Sequence, residues 1–322
     1  MNKNAKIYVA GHRGMVGSAI ERRLRAAGYD NLVTRTRDKL DLLDQRAVHA
    51  FLQAEQPDYI FIAAARVGGI HANNTYRAEF IYQNLMIETN LIHGAHVAGA
   101  QHLMLLGSSC IYPRECPQPM REEYLLTGPL ESTNEPYAVA KIAGIKLCEA
   151  YQYQYGRDYI SVMPTNLYGP NDNYDLNTSH VLPALIRKAH EAKVRGDTEL
   201  VTWGSGTPKR EFLFVDDLAD ACVFLMERQF GAGEAEQAVA ALPSLINIGR
   251  GEDLSIRELA ETVMQIVGLT GEIVFDATKP DGTPRKLLDT RYINQLGWHP
   301  RTPLREGIRL SYQDFLAKGA SR

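Results

Sequence analysis

Gly11-His12-Arg13-Gly14-Met15-Val16-Gly17 follows the apolar run Ile7-Tyr8-Val9-Ala10 and opens an apolar-periodic stretch over 15–27. A strand, a glycine turn and a helix start therefore meet at one point. That succession builds a nucleotide phosphate site. Glycines let backbone N–H groups approach a pyrophosphate, and the positive end of a helix favours its charge. The spacing is G-x-x-G-x-x-G, not G-x-G-x-x-G. With a strand before it and a helix after it, the stretch reads as a dinucleotide site, and all seven residues are expected cofactor contacts.

Outward from this turn, short apolar runs alternate with longer helical patterns over 1–165. Strands are expected at 6–10, 32–35, 59–64, 103–106 and 159–163, and helices at 15–27, 44–54, 75–98 and 137–155. Such alternation predicts a parallel sheet covered on both faces. The expected class is α/β: a Rossmann-type doubly wound parallel sheet with a smaller C-terminal α/β substrate domain. Residues 1–165 plus about 212–249 are assigned to the first domain, and about 166–211 and 250–322 to the second. There, 168–177 is a loop rich in Gly, Pro and Asn. Helices are expected at 181–193, 217–227 and 255–267, and a strand at 200–203. The stretch 231–241 reads as a small acidic surface loop, and 279–286 (KPDGTPRK) as a basic, anion-facing one.

Composition narrows the function classes. The chain has 322 residues, 45% apolar and 23% charged, with a formal net charge of −3. That charge gives no reason to expect nucleic acid or a membrane surface as partner. No apolar run approaches ~18 residues, so no membrane span is expected. The N-terminus runs straight into the first strand, leaving no room for a signal peptide. Four cysteines without a C-x-x-C pair suit a reducing cytoplasm, and no metal is expected.

In this fold the end of the second strand meets the adenosine ribose. An acid there takes the 2′-hydroxyl of NAD, whereas an arginine accommodates the 2′-phosphate of NADP. Here it ends Val33-Thr34-Arg35-Thr36-Arg37, with no acid until Asp38, and Arg13 points from the glycine loop toward the same region. Planar guanidinium groups suit phosphate oxygens. Either arginine alone could be a solvated surface residue. Together, Arg13 and Arg37 select NADP(H).

Leu106-Gly107-Ser108-Ser109-Cys110-Ile111-Tyr112 closes the fourth strand, and Tyr137-Ala138-Val139-Ala140-Lys141 opens a helix. Residues four apart share a helical face, so the phenol and the ammonium can act on one point. A phenol with a pKa near ~10 is a weak acid–base group at neutral pH. The ammonium and the positive nicotinamide ring of the oxidised cofactor are expected to lower that value. Ser108 sits at the carboxyl end of a parallel strand, where open α/β sheets bind ligands. A lone Y-x-x-x-K is a common surface pair. After the glycine loop and a strand ending in serine, it reads as catalytic.

On these residues the chain resembles the extended short-chain dehydrogenase/reductase family of nucleotide-sugar enzymes. The most specific stretches are AGHRGMVGSAI (10–20), VGGIHANNT (67–75), LGSSCIYP (106–113), NEPYAVAKIAGIKLCE (134–149), MPTNLYGPNDN (163–173), SHVLPALI (179–186), WGSGTPKREFL (203–213) and KPDGTPRK (279–286). They run across nearly the full length. The resemblance implies a two-step reaction on GDP-4-keto-6-deoxy-D-mannose: 3,5-epimerisation, then NADPH-dependent 4-keto reduction. It implies that Leu106, Gly107, Lys141, Pro164, Thr165, Asn166, Leu167 and His180 lie against the cofactor. Lys188, Trp203, Arg210 and Asp281 are implied for the GDP-sugar, with Asn166 near an interdomain hinge. Members pair as homodimers through helices near 75–98 and 137–155.

One departure sets the chemistry. In related dehydratases an Asp-Glu pair follows the active serine or threonine and expels a hydroxyl as water; here it is Ser109-Cys110. A thiol is a poor acid for a leaving hydroxyl. With an ordinary pKa near ~8.5 it needs only modest lowering to act as a base on a carbon acid. The C3 and C5 hydrogens flank the ketone and are acidic. Inversion needs a second group on the opposite face, and His180, which titrates in the right range, resembles the family's acid. Without the resemblance, Cys110 would read as a core cysteine and His180 as an ordinary surface or hydrogen-bonded one. Arg210 suits a diphosphate and Trp203 offers a flat face, although core packing is the other reading of Trp203. Lys188 stands where the family carries arginine, which exchanges a planar fork for a point charge. Two alternatives stay open. A nucleotide-sugar 4-epimerase on the same scaffold would consume no NADPH. A non-catalytic NADP-sensing protein would have no need of Ser108, Tyr137 and Lys141 together.

Overall fold

Ile7 and Val9 of the first strand pack into one hydrophobic cluster, and Tyr8 and Ala10 into another. All four are buried, as a strand covered on both faces requires. In this computed structural model, residues 1–230, 242–279 and 281–319 are described; the expected acidic loop at 231–241 lies outside them. The elements in order are β1 (Ile7–Ala10), α1 (Met15–Ala26), β2 (Leu32–Val33), α2 (Gln45–Glu55), β3 (Tyr59–Ile62), α3 (Ile70–Thr75), α4 (Arg77–Val97), β4 (His102–Leu106), α5 (Glu135–Tyr155) and β5 (Asp158–Pro164). There follow β6 (Asn166–Tyr168), α6 (Val181–Arg195), β7 (Glu199–Trp203), β8 (Lys209–Phe214), α7 (Val215–Phe230), β9 (Leu245–Ile248), β10 (Asp253–Ser255), α8 (Ile256–Val267), β11 (Glu272–Asp276), β12 (Arg285–Lys286), α9 (Arg291–Gln295) and α10 (Leu304–Ala317).

The large sheet is parallel throughout, in the order β2-β1-β3-β4-β5-β9. Ile20 and Leu24 of α1 and Leu218 and Cys222 of α7 cover one face. Leu52 of α2, Leu91 and Ile92 of α4, and Ile145 and Cys148 of α5 cover the other. This is the doubly wound Rossmann-type sheet. The strand order reverses between β1 and β3, and the crevice beyond their carboxyl ends is where such sheets take a ligand.

Two elements differ from expectation. The second strand stops at Val33, because the chain turns at Thr36, whose carbonyl accepts the N–H groups of Lys39 and Leu40. The expected 75–98 helix is two helices broken at Tyr76 (φ −106°, ψ 44°), after a run of two asparagines with modest helix propensity.

In the second lobe β8 pairs antiparallel with β10 and parallel with β6 and β12, while β7 and β11 form a separate parallel pair. Ile186 of α6, Leu259 and Val263 of α8, and Ile308 and Phe315 of α10 pack with Phe212 and Phe214 of β8. Ser255 and Glu258 cap α8 reciprocally, a device worth about 1 kcal/mol. Beyond β12 the chain returns to the large sheet, where Ile293 and Trp298 join the cluster of α1 and α7. No described helix is long and apolar enough to cross a membrane.

Candidate active site

The glycine turn is shaped by close approach. Gly11 has φ +86°, and a Cβ there would lie 2.7 Å from the Ala64 nitrogen just after β3. A Cβ on Gly17 would lie 2.1 Å from the Gly11 carbonyl oxygen. Gly14 is the N-cap of α1, with no side-chain cap and no acid in the first turn. The first N–H groups of α1 are thus left to an outside anion. His12 Nδ1 is buried without a partner among the described residues and belongs to the wall of an adjoining pocket. These features fit a dinucleotide.

That pocket, of about 460 Å³, is lined by His12, Thr34, Arg35, Thr36 and Lys39. Arg37, exposed like Arg35 and Lys39, follows Thr36 on the same turn. The turn at Thr36 brings Lys39 to the wall. Arg35 lies over Phe51 at 5.0 Å and pairs with Glu55 at 2.6 Å. Arg13 is exposed and bears electrostatically on Asp38, whose carboxyl is held down chiefly by the Thr36 hydroxyl.

At the carboxyl end of β4, Leu106 and Gly107 are buried. A Cβ on Gly107 would lie 1.9 Å from Met163 Cε. Ser108 (φ −159°, ψ 145°) starts a single tight turn, Ser109–Ile111, and its oxygen accepts the Cys110 N–H at 3.4 Å. Cys110 is 7% exposed. Burial pushes its thiol up, opposed by the Ser108 hydrogen bond and by the ammonium groups of Lys286 and Lys141. Tyr137 lies in the first turn of α5, half-buried and edge-on to Phe80 at 6.3 Å. Without the cofactor its phenol is raised chiefly by burial, then by Cys110 and Glu88. Glu88 lies 2.8 Å from Lys141 Nζ.

His180 caps α6 and is exposed to the cleft. Burial within the cleft depresses its imidazole, with Lys286 adding to the effect. Lys286 of β12 thus bears on both Cys110 and His180. The 178–179 backbone beside His180 is braced by the 67–75 motif. Gly69 donates to the Thr178 carbonyl at 2.8 Å, and Asn73 Nδ2 holds the Gly68 carbonyl at 2.6 Å.

Pro164 ends β5, and Leu167 packs on the cluster under α1. Thr165 and Asn166 both spend their side chains on the Glu211 carbonyl, at 3.2 and 2.9 Å, where the chain passes from the large sheet to the second lobe. Glu211 is fully buried and accepts the N–H groups of Gly251 (2.7 Å) and Leu288 (2.9 Å).

In the second lobe Trp203 is 54% exposed, so it is no core residue. The Lys188 and Lys279 ammonium groups lie 5.3 and 5.4 Å from its ring. Arg210 pairs in register with Lys286, close to Gly282. Asp281 is committed within the chain: its two oxygens accept Ser205 N–H (2.9 Å) and Oγ (2.7 Å). Among the described residues no cluster could hold a metal ion.

A parallel sheet with a glycine cradle at its reversal and a Ser–Tyr–Lys group on the next strand and helix defines a nucleotide-cofactor enzyme of the epimerase and reductase type. The chain belongs to the NAD dependent epimerase/dehydratase family, whose model matches residues 7–249. It is 57% identical over 311 residues to GDP-L-fucose synthase of Escherichia coli (strain K12), covering 97% of this chain and 96% of the relative. It is 56% identical over 321 residues to GDP-L-fucose synthase 1 of Arabidopsis thaliana, covering 100% and 96%. The crystal structure of a GDP-L-fucose synthetase from Naegleria fowleri bound to NADP superposes with a TM-score of 0.88 at 27% identity, covering 100% and 97%.

Sequence reasoning passed over Glu88, Lys39, Lys286 and Glu211. Lys286 alone left a signal, as the last residue of a basic turn-rich loop.

Proposed function

We infer that the protein converts GDP-4-keto-6-deoxy-D-mannose to GDP-L-fucose by 3,5-epimerisation and 4-keto reduction, with NADP(H) as cofactor. The observation that carries this reading is the buried Cys110 thiol, set among Ser108, Tyr137 and the Lys286 ammonium. The start of α1, His12, Arg35 and Lys39 would hold the dinucleotide, which supplies the hydride that C4 accepts.

Cys110, as thiolate, takes the C3 proton, and the electron pair moves onto the ketone oxygen. Hydrogen bonds from Ser108 and Tyr137 hold that enolate. His180, as imidazolium, returns a proton to the opposite face of C3; Cys110 then gives its proton to water and His180 takes one from it, and the reset pair works at C5. In the reduction Tyr137 gives its phenolic proton to O4, and water refills it. Lys286 supports the thiolate, which burial alone would disfavour. Arg210 meets the diphosphate, and Trp203, flanked by Lys188 and Lys279, offers its face to the base. Asp281 shapes the 204–205 turn beside them.

A homodimer through α4 and α5 is part of this reading, supported by exposed Tyr82 on α4 and Tyr153 on α5; light scattering gives the mass. A cytoplasmic setting is supported by four unpaired cysteines. Incubation with GDP-4-keto-6-deoxy-D-mannose and NADPH, followed by NMR, tests the function. GDP-L-fucose is expected. GDP-D-rhamnose would mean reduction without epimerisation. A sugar epimer formed without NADPH consumption would indicate a 4-epimerase, and NADP binding without turnover a sensor.

A further inference from the structure

Val67 and Ile70 flank the Gly68-Gly69 pair after β3 and are 63% and 60% exposed. The backbone that carries them is held at several points. Buried Asn84 accepts the Arg66 N–H at 2.8 Å and donates to the Arg66 carbonyl at 3.0 Å. Buried Asn73 donates to the carbonyls of Gly68 at 2.6 Å and Gly69 at 3.1 Å. The Arg66 guanidinium lies 5.3 Å from the Phe80 ring and 5.6 Å from the Tyr76 ring, and donates to Gln83 at 3.3 Å. Two buried asparagines and an arginine thus fix a loop whose two aliphatic side chains are left open to solvent. A rigid backbone with exposed apolar side chains is the arrangement of a preformed apolar contact surface.

The loop lies between the two sides of the catalytic centre. On one side, a Cβ at Gly68 would stand 3.3 Å from Phe80 Cζ, and Phe80 meets Tyr137 edge-on at 6.3 Å. On the other, Gly69 touches the backbone of Thr178 and Ser179, immediately before His180. A sugar whose O4 meets Tyr137 and whose C3 and C5 meet His180 therefore passes the 67–70 segment. Of the groups beside the reacting carbons, C3 carries a hydroxyl and C5 a methyl. Two aliphatic side chains suit the methyl, whereas a hydroxyl against them would lose water and gain no partner. Neither side chain has a polar atom, so the methyl can change face as C5 inverts without breaking a hydrogen bond.

We propose that Val67 and Ile70 form the wall that meets the C6 methyl and select 6-deoxy sugars over sugars with a hydroxyl at C6. The assignment rests on the substrate reading given above and adds to it the residues that read C6.

GDP-L-fucose and GDP-L-galactose differ by one hydroxyl, at C6, and both serve as inhibitors competing with GDP-4-keto-6-deoxy-D-mannose. The wild type is expected to bind GDP-L-fucose about tenfold or more tighter, the scale on which an apolar wall rejects an added hydroxyl. Val67→Thr combined with Ile70→Thr keeps the β-branching and gives each position a hydroxyl. The preference is then expected to fall to about threefold or less, with GDP itself bound within about twofold of wild type. An unchanged preference in the double variant overturns the proposal. So does a wild type that binds the two sugars equally, a result that decides even where the double variant does not fold. Equal losses for both sugars and for GDP would mark a loop that only shapes the fold, and would also overturn it. Failure of the substrate reading looks different: neither sugar competes better than GDP, no GDP-L-fucose forms, and the proposal falls with it.

Discussion

Gly69 donates its N–H to the Thr178 carbonyl at 2.8 Å, tying the loop after β3 to the one that ends in His180. A Cβ at Gly69 would stand 2.6 Å from the Ser179 carbonyl oxygen, so Gly69→Ala must push the two apart. Misplacing the proton-returning group should slow epimerisation about tenfold or more. Hydride transfer should change less than about threefold. Solvent-deuterium uptake and NADPH consumption read the two steps separately, and equal losses in both would speak against His180.

Cys110→Ser should abolish deuterium exchange at C3 and C5, because a hydroxyl with no lowered pKa is a far weaker base than a thiolate. NADPH affinity should stay within about twofold, since the thiol lies among Ser108, Tyr137 and Lys286 rather than on the α1 cradle. Full exchange in this variant would exclude Cys110 as the base.

Lys39 lines the pocket beside His12, and among the described residues no carboxylate pairs with it. Lys39→Ala should weaken NADPH binding about tenfold, the loss of one charge-assisted contact, and leave NADH binding unchanged. Arg37→Ala, at an exposed site on the same turn, should likewise weaken NADPH more than NADH. Fluorescence titration with both nucleotides checks this. Equal losses for the two nucleotides would speak against contact with the 2′-phosphate.

Burial, with Asp314 adding, raises the Asp172 carboxyl from 3.8 to about 7. The folded chain therefore keeps a proton that the unfolded chain gives up near ~4. This group's contribution to stability is greatest below the unfolded value and declines as pH rises from about 4 through about 7. Asp172→Asn should remove the decline and stabilise the protein at pH 8 by about 2 kcal/mol. Urea unfolding at pH 5 and pH 8 measures it; an equal gain at both would be inconsistent with a raised carboxyl.

What the sequence made legible was whatever local patterning determines. Gly11 to Gly17 announced themselves because a strand, a turn and a helix must adjoin for that spacing to make sense. Ser108 and Tyr137 could be found because each starts or ends an element. Glu88 could not: within I-E-T-N it looks like any helix-surface acid, and only the approach of α4 to α5 buries it. Lys39 reaches the pocket wall through the turn at Thr36, and no periodicity reports that. Asp281 has the residue type of a ligand contact, yet folding places Ser205 against both its oxygens. The expected fall in the Tyr137 pKa counted one lysine and the oxidised nicotinamide; burial, the largest influence on the phenol, comes from packing that no local pattern reports.

The chain leaves the large sheet after β5, returns for α7 and β9, leaves again, and returns once more at Ile293 and Trp298. This itinerary matters during synthesis. When Pro164 leaves the ribosome, five strands of the sheet exist, but the outer face of α1 lacks α7 and β5 is still an open edge. The first waits for α7, complete at Phe230, and the second for β9, complete at Ile248. A nascent chain must therefore carry an exposed apolar face and a bare strand edge through the making of the whole middle of the protein. That interval is when chaperone capture or misassociation would act.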